Sequence, residues 1–171
     1  MWTAKVAEPE ALRAAVEVAR ESDPKVIVEA AIVGREIECG VLEGRDGAAP
    51  RTSEVGEIVV VRGHDFYDFD AKYMAESDVQ LTCPAAVPDE VADEVRRVAA
   101  AAFEAAGCEG LARVDCFYTE HGDVIINEIN TMPGFTPQSM FPLVWAKSGL
   151  SYPDLIDELI QLALARRTGL R

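Results

Sequence analysis

The chain has 171 residues, 49% of them hydrophobic, with 16 Lys and Arg against 30 Asp and Glu for a net charge of −14. That is about one domain by the usual length prior, with enough apolar residues to bury a real core. The acidity argues against sequence-independent binding to nucleic acid or an anionic membrane, no apolar run reaches the roughly 18 residues of a membrane span, and MWTAKVAEPE lacks the regions of a signal peptide.

Thr3 to Val6 reads as a short strand. A helix follows from Pro9 to Glu21, with Pro9 in its first turn and Leu12, Ala15, Val16 and Ala19 at helical spacing. KVIVEAA, Lys25 to Ala31, reads as an apolar strand, Val33-Gly34-Arg35 as a turn, and Glu36 to Glu43 as the antiparallel partner of that strand. Glu57 to Arg62 is a further strand, residues 63–78 show neither period, and Val79 to Cys83 is a short strand. Pro88 to Ala106 is the clearest helix. Asp89 and Glu90 suit its N-terminal dipole, Val91, Val95, Val98, Ala102 and Phe103 form its stripe, and Gly107 suits its C-terminal end. Leu111 to Thr119 and Val124 to Asn130 are strands joined at His121-Gly122. Helices follow over Ser139 to Lys147 and Tyr152 to Arg167. Mixed helices and neighbouring antiparallel strands predict an α+β or α/β layered fold.

Cys39, Cys83, Cys108 and Cys116 form no C-x-x-C pair, and the spacing reads as buried thiols. His64 and His121 are the only histidines, so a zinc site or a Ser-His-Asp triad is disfavoured and any metal would take oxygen ligands. The hairpin LARVDCFYTEHGDVIINEIN is where such ligands meet. Pairing Glu120 with Asp123 across the turn sets Asp115 opposite Glu128 and Arg113 opposite Asn130, all on one face. Directly opposed carboxylates repel, so a cation or a shared proton is expected between them. Oxygen ligands of this kind suit Mg²⁺ or Mn²⁺ with bound phosphates. A solvated Arg–carboxylate pair or an acid/base dyad also fits the spacing, and a three-residue turn would shift the register.

VDCFYTEHGDVIINEINTMPGFTPQSMFP, preceded by FYDFDAKY and VEAAIVGREIECGVL, resembles the C-terminal half of the D-alanine–D-alanine ligase family, ATP-grasp enzymes of peptidoglycan synthesis, from about Lys5 to Arg166. The resemblance implies an ATP-grasp fold truncated at its N-terminus. Residues 1–35 would be the remnant of the central nucleotide-binding subdomain and residues 36–171 the C-terminal catalytic domain. It implies ATP as co-substrate and two Mg²⁺ or Mn²⁺ ions on Asp115, Glu128 and Asn130. Arg113 would stabilise the acyl phosphate and tetrahedral adduct, and the Gly134 N–H would bind the oxyanion. Ser139, opening a helix, and Met140 would hold the carboxylate of the second D-alanine. Without the resemblance, Ser139 reads as a plain helix N-cap. Glu29, Ala31 and Ile32 would face adenine and Glu36 the ribose. Lys72 would contact phosphate and Tyr73 would lock a closing loop that favours D-alanine over D-lactate. The family's glycine-rich phosphate loop and first D-alanine site lie upstream of the matching segment, and Met1 and Trp2 fall outside the pattern. The resemblance therefore implies a fragment, inactive alone, with Thr3 to Val6 and Lys25 to Ala31 lacking partner strands. The whole protein would be cytoplasmic and could be a homodimer. Alternatives are a D-alanine–D-lactate or other carboxylate–amine ligase, and a nucleotide-binding fragment without ligase activity.

Overall fold

The computed structural model describes residues 4–60 and 79–166. Its centre is an antiparallel sheet of β1 (Gly34–Leu42), β2 (Arg51–Val60), β3 (Val79–Thr82), β4 (Leu111–Thr119) and β5 (Val124–Asn130). The strand order is β3-β2-β1-β4-β5. The helices are α1 (Pro9–Arg20), α2 (Asp89–Ala105), α3 (Met140–Lys147) and α4 (Tyr152–Ala165). This is the α+β arrangement that the sequence predicts.

Side chains alternate faces along each strand, so the sheet carries a core on each face. On one face Ile37, Cys39 and Val41 join Val55, Val114 and Cys116 beneath Ala92, Val95, Ala99 and Phe103 of α2. That helix stripe keeps the i, i+3, i+7, i+11 spacing of a packed face. The helix then stops in a Schellman motif: Gly107 takes φ +62°, and the Gly107 and Cys108 N–H groups donate to the carbonyls of Glu104 and Phe103. On the opposite face Leu42 and Ile58 pack with Met140, Phe141, Val144 and Trp145 of α3 and Leu155 of α4. This second core covers only one end of its face. The rest of that face carries polar side chains from Glu36, Glu38, Arg113, Asp115 and Glu128 beside Phe117.

Two close approaches fix where α3 sits. A Cβ on Gly40 would lie 2.7 Å from Nε1 of Trp145, and one on Gly56 would lie 2.3 Å from Sδ of Met140. Glycine at these two positions lets the helix lie directly on β1 and β2. Glu158 of α4 staples the other end of that layer. Its buried carboxylate accepts from Arg45 and Arg51, and the hydrogen bond from Arg45 is the main reason it is held below the usual carboxylate range.

Three expectations are corrected. Residues 4–6 and 25–31 form no strand, and α1 buries no residue. An apolar run becomes a strand only when another strand satisfies its N–H and C=O groups, and none of the described strands pairs with these segments. Gly34 and Arg35 are not in a turn but begin β1, whose partners are β2 and β4. The β4–β5 connection is also one residue longer than a two-residue turn. The Thr119 N–H donates to the Asp123 carbonyl across Glu120, His121 and Gly122, with Gly122 at φ +90°.

Candidate active site

The longer turn should have moved Asp115 out of register with Glu128. It does not, because β5 carries a bulge. Cys116 pairs with Ile126 and Asp115 with Glu128, leaving Asn127 without a partner. Arg113 therefore faces Asn130. The extra residue in the turn and the extra residue in the strand offset each other, and the predicted cross-strand row forms.

That row lies on the open end of the sheet face that α3 covers. Arg113 and Asp115 are buried, at 9% and 8% exposure, Asn130 is half-buried and Glu128 is exposed. Arg113 donates from Nε and Nη2 to the two oxygens of Asp115, at 2.7 and 2.8 Å. β1 adds a member that the hairpin alone does not reveal. Glu38 stands opposite Asp115, is 2% exposed, and places Oε1 3.1 Å from Nε of Arg113. Burial works against the charge on Arg113. The hydrogen bonds to Asp115 and the fields of Glu38, Asp115 and Glu128 outweigh it and hold the guanidinium charged, above the usual arginine range. The ion pair expected as one reading of this spacing is thus present, but it is part of a set of three carboxylates around one cation.

Asn130 ends β5 and starts the next loop: its Oδ1 accepts from the Met132 N–H at 3.0 Å. The loop is pinned at Phe135. The Phe135 carbonyl accepts from the Tyr152 hydroxyl at 2.7 Å, and the ring packs 5.8 Å from both Phe141 and Tyr152. Ser139 precedes α3 but makes no side-chain cap to it. Its Oγ turns back to Thr136 instead, 3.1 Å from the N–H and 2.9 Å from Oγ1. A Cβ on Gly134 would lie 3.0 Å from that Oγ, so Gly134 and Ser139 are side by side. The plain N-cap role is therefore excluded for the Ser139 side chain. Met140 is buried in the second core, which leaves only its backbone for a ligand.

Glu36 shares the face of Glu38, two residues along β1, and stands opposite Phe117. Residues 31–33 lead into β1 and border a groove of about 290 Å³ with Thr119, the Glu120–Asp123 turn and Ile125. Ala31 is exposed and Ile32 half-buried there, and Glu29 is exposed further back. Thr119 and Asp115 lie on one face of β4 four residues apart, which at ~3.3 Å per residue sets the groove about 13 Å from the carboxylates. Lys72 and Tyr73 lie outside the described residues.

The donor set fits a hard divalent cation. Asp115 and Glu128 supply carboxylates and Asn130 an amide oxygen, on one face and in adjacent register. Each carboxylate oxygen engaged by Arg113 keeps a further lone pair. No group of three or more His, Cys, Asp or Glu suited to a metal occurs among the described residues, so a cation here would have to draw on the amide of Asn130 as well as the two carboxylates. Thiolate chemistry is disfavoured at three of the cysteines, because burial pushes Cys39 and Cys83 up to about 11 and Cys116 up to about 12. No helix among the described residues is long and apolar enough to cross a membrane.

Comparison with known proteins bears on this geometry. A family model for the C-terminus of D-Ala–D-Ala ligase matches residues 3–161. The chain is 63% identical to the D-alanine–D-alanine ligase of Pseudarthrobacter chlorophenolicus, covering 100% of this chain and 45% of that protein. It is 58% identical to that of Mycolicibacterium smegmatis, over 94% of this chain and 43% of the relative. The chain thus spans less than half the length of the curated relatives it matches. Among solved structures, the D-alanine–D-alanine ligase of Coxiella burnetii superposes with a TM-score of 0.77 at 36% identity, covering 94% of this chain and 40% of that one. The VanG D-Ala:D-Ser ligase of Enterococcus faecalis gives 0.76 at 38%, covering 91% and 43%.

Proposed function

Because the chain belongs to the D-Ala–D-Ala ligase C-terminus family, we propose that it is the part of an ATP-dependent D-alanine–D-alanine ligase that holds the nucleotide phosphates, their divalent ions and the second D-alanine. Its fold is that of the ATP-grasp ligases. The observation that carries the reading is the row of Arg113, Asp115, Glu128 and Asn130 on one sheet face. It ends at the loop where Gly134 and Ser139 meet.

In this reading Asp115, Glu128 and Asn130 hold two Mg²⁺ or Mn²⁺ ions. Bound there, the ions would neutralise phosphate oxygens during phosphoryl transfer. Glu29, Ala31 and Ile32 would face the adenine and Glu36 the ribose. The carboxylate of the first D-alanine takes the γ-phosphoryl group, giving an acyl phosphate and ADP. The amine of the second D-alanine attacks the acyl carbon, and phosphate leaves. Arg113 is charged and fixed in place before the reaction, so it can stabilise the oxyanion without reorganising. The Gly134 N–H would add a donor to that oxyanion. Ser139 Oγ and the N-terminus of α3 would hold the carboxylate of the attacking D-alanine. Lys72 and Tyr73 belong to the segment assigned to nucleotide closure. Residues 1–35 would complete the central nucleotide-binding unit and residues 36–171 the catalytic one. The dipeptide would feed peptidoglycan precursor synthesis in the cytoplasm.

The test is coupled release of ADP by the full-length protein with D-alanine, ATP and Mg²⁺, with D-serine and D-lactate offered as alternative acceptors. The expected result is turnover that requires D-alanine and is highest with D-alanine as acceptor. Turnover that ignores D-alanine would contradict the proposal. The 171 residues alone are expected to give no ligation under the same conditions, since the site for the first D-alanine is assigned outside them.

A further inference from the structure

Glu38 is left without a role by the ligase reading. The hairpin that supplies Arg113, Asp115, Glu128 and Asn130 does not contain it, and it comes from β1, on the other side of β4. It is nevertheless the most deeply buried charged side chain of the face, at 2% exposure. A carboxylate that far from water is stable only beside a fixed positive charge, and Arg113 is that charge, 3.1 Å away.

The geometry creates a conflict at Asp115. Both of its oxygens are engaged by Arg113. If Asp115 also ligates a divalent cation, its negative charge is shared with that cation, and Arg113 loses part of its counter-charge. Arg113 is itself buried, so it cannot make up the loss with water. Glu38 resolves the conflict. It touches the same Nε atom from the opposite strand and does not belong to the candidate ligand set. Charge counting points the same way. Glu38, Asp115 and Glu128 surround one guanidinium, so carboxylates outnumber the cation and the row favours divalent ions. Without Glu38, Arg113 would neutralise Asp115, and Glu128 alone would be left to attract cations.

We infer that Glu38 is a positioning residue. It holds Arg113 in place when Asp115 turns to the metal, and so sets the affinity of the site for divalent ions. The inference rests on the ligase reading and on the metal role of Asp115 and Glu128. Groups that hold metal ligands from behind affect metal affinity by about 10–100-fold when removed, which sets the size of the effect to look for.

The experiment measures Mn²⁺ binding to the full-length protein in the presence of ADP, by the electron paramagnetic resonance signal of free Mn²⁺. It compares the unsubstituted protein, Glu38→Gln and Glu128→Gln. Glu38→Gln keeps the shape and removes the charge. Its apparent Kd for Mn²⁺ is expected to rise about tenfold or more, with kcat partly restored by raising Mg²⁺. A merely structural role would lower the melting midpoint and leave the Mn²⁺ affinity of the folded fraction unchanged. A Kd within twofold of the unsubstituted protein overturns the inference. Should Glu38→Gln fail to fold, Glu38→Asp replaces it. Its shorter arm breaks the contact with Arg113, and a Kd raised about threefold or more is expected, an unchanged Kd being the contrary result. Glu128→Gln separates the two levels of the argument. If it loses Mn²⁺ while Glu38→Gln does not, only the role of Glu38 fails. If it binds Mn²⁺ normally, the metal site itself is wrong.

Discussion

Glu128→Gln in the full-length protein is expected to fold normally and to lose about 10³-fold or more in kcat. Glu128 is exposed, so an amide of the same shape fits in its place without repacking. The change removes the negative charge. In the proposed site that charge sits across from Asp115 and is needed to keep cations against the phosphates. Nucleotide binding by the variant should therefore lose its dependence on Mg²⁺. Measuring nucleotide affinity with and without Mg²⁺, together with the melting midpoint, checks both halves. A variant that retains full Mg²⁺ dependence would remove Glu128 from the metal site.

Arg113→Ala is expected to damage stability and catalysis together. Arg113 pairs with both Glu38 and Asp115, each of them buried. Removing one partner of a buried pair costs about 3–5 kcal/mol, because the remaining charges are left uncompensated. The same change removes the donor assigned to the oxyanion, for a further loss of about 10²–10³-fold in kcat. Arg113→Lys divides the two effects. It keeps a positive charge for Glu38 and Asp115, so much of the stability returns. It lacks the planar fork that meets both oxygens of Asp115, so less of the rate returns. Urea unfolding and steady-state kinetics on the two variants measure the division. Equal recovery of stability and rate by lysine would show that Arg113 serves as a charge alone.

The cross-strand row was legible in the sequence, but for a reason that was only half right. The alternation of Arg113 and Asp115 against Glu128 and Asn130 puts them on one face whenever their pairing holds. The turn was expected one residue too short, and the bulge at Asn127 restores the pairing. Neither feature leaves a strong local mark, since Asn127 looks like any polar strand residue. Glu38 was missed for a different reason. The sequence paired β1 with the apolar run at Lys25–Ala31, its neighbour in the chain, whereas β1 runs beside β4, about 75 residues on. Period-two alternation would have found Glu38 once that pairing was known. Its signal is a charged residue set between Ile37 and Cys39, both of which enter the core.

Helices were read more accurately than strand pairing because their signals are local. The start of α2 at Asp89 and its stop at Gly107 follow from first-turn acids and a glycine able to take positive φ. Residues 25–31 show the limit of local signals. They have the composition of a strand, yet only a partner strand converts such a run into a ladder, and composition carries no information about the partner. Ser139 shows the same limit at smaller scale. Its position before α3 marks a cap by type, but the side chain turns to Thr136 and Gly134 because the loop pinned by Tyr152 brings those groups within reach.

The central claim is that Asp115, Glu128 and Asn130 together hold divalent ions against the nucleotide phosphates. Crystals of the full-length protein grown with ADP and Mn²⁺ test it directly, by anomalous scattering at the manganese edge. The account predicts anomalous peaks within about 2–2.5 Å of oxygens of Asp115, Glu128 and Asn130, with Arg113 still in contact with Glu38. Manganese bound to ADP but away from these three side chains would contradict it.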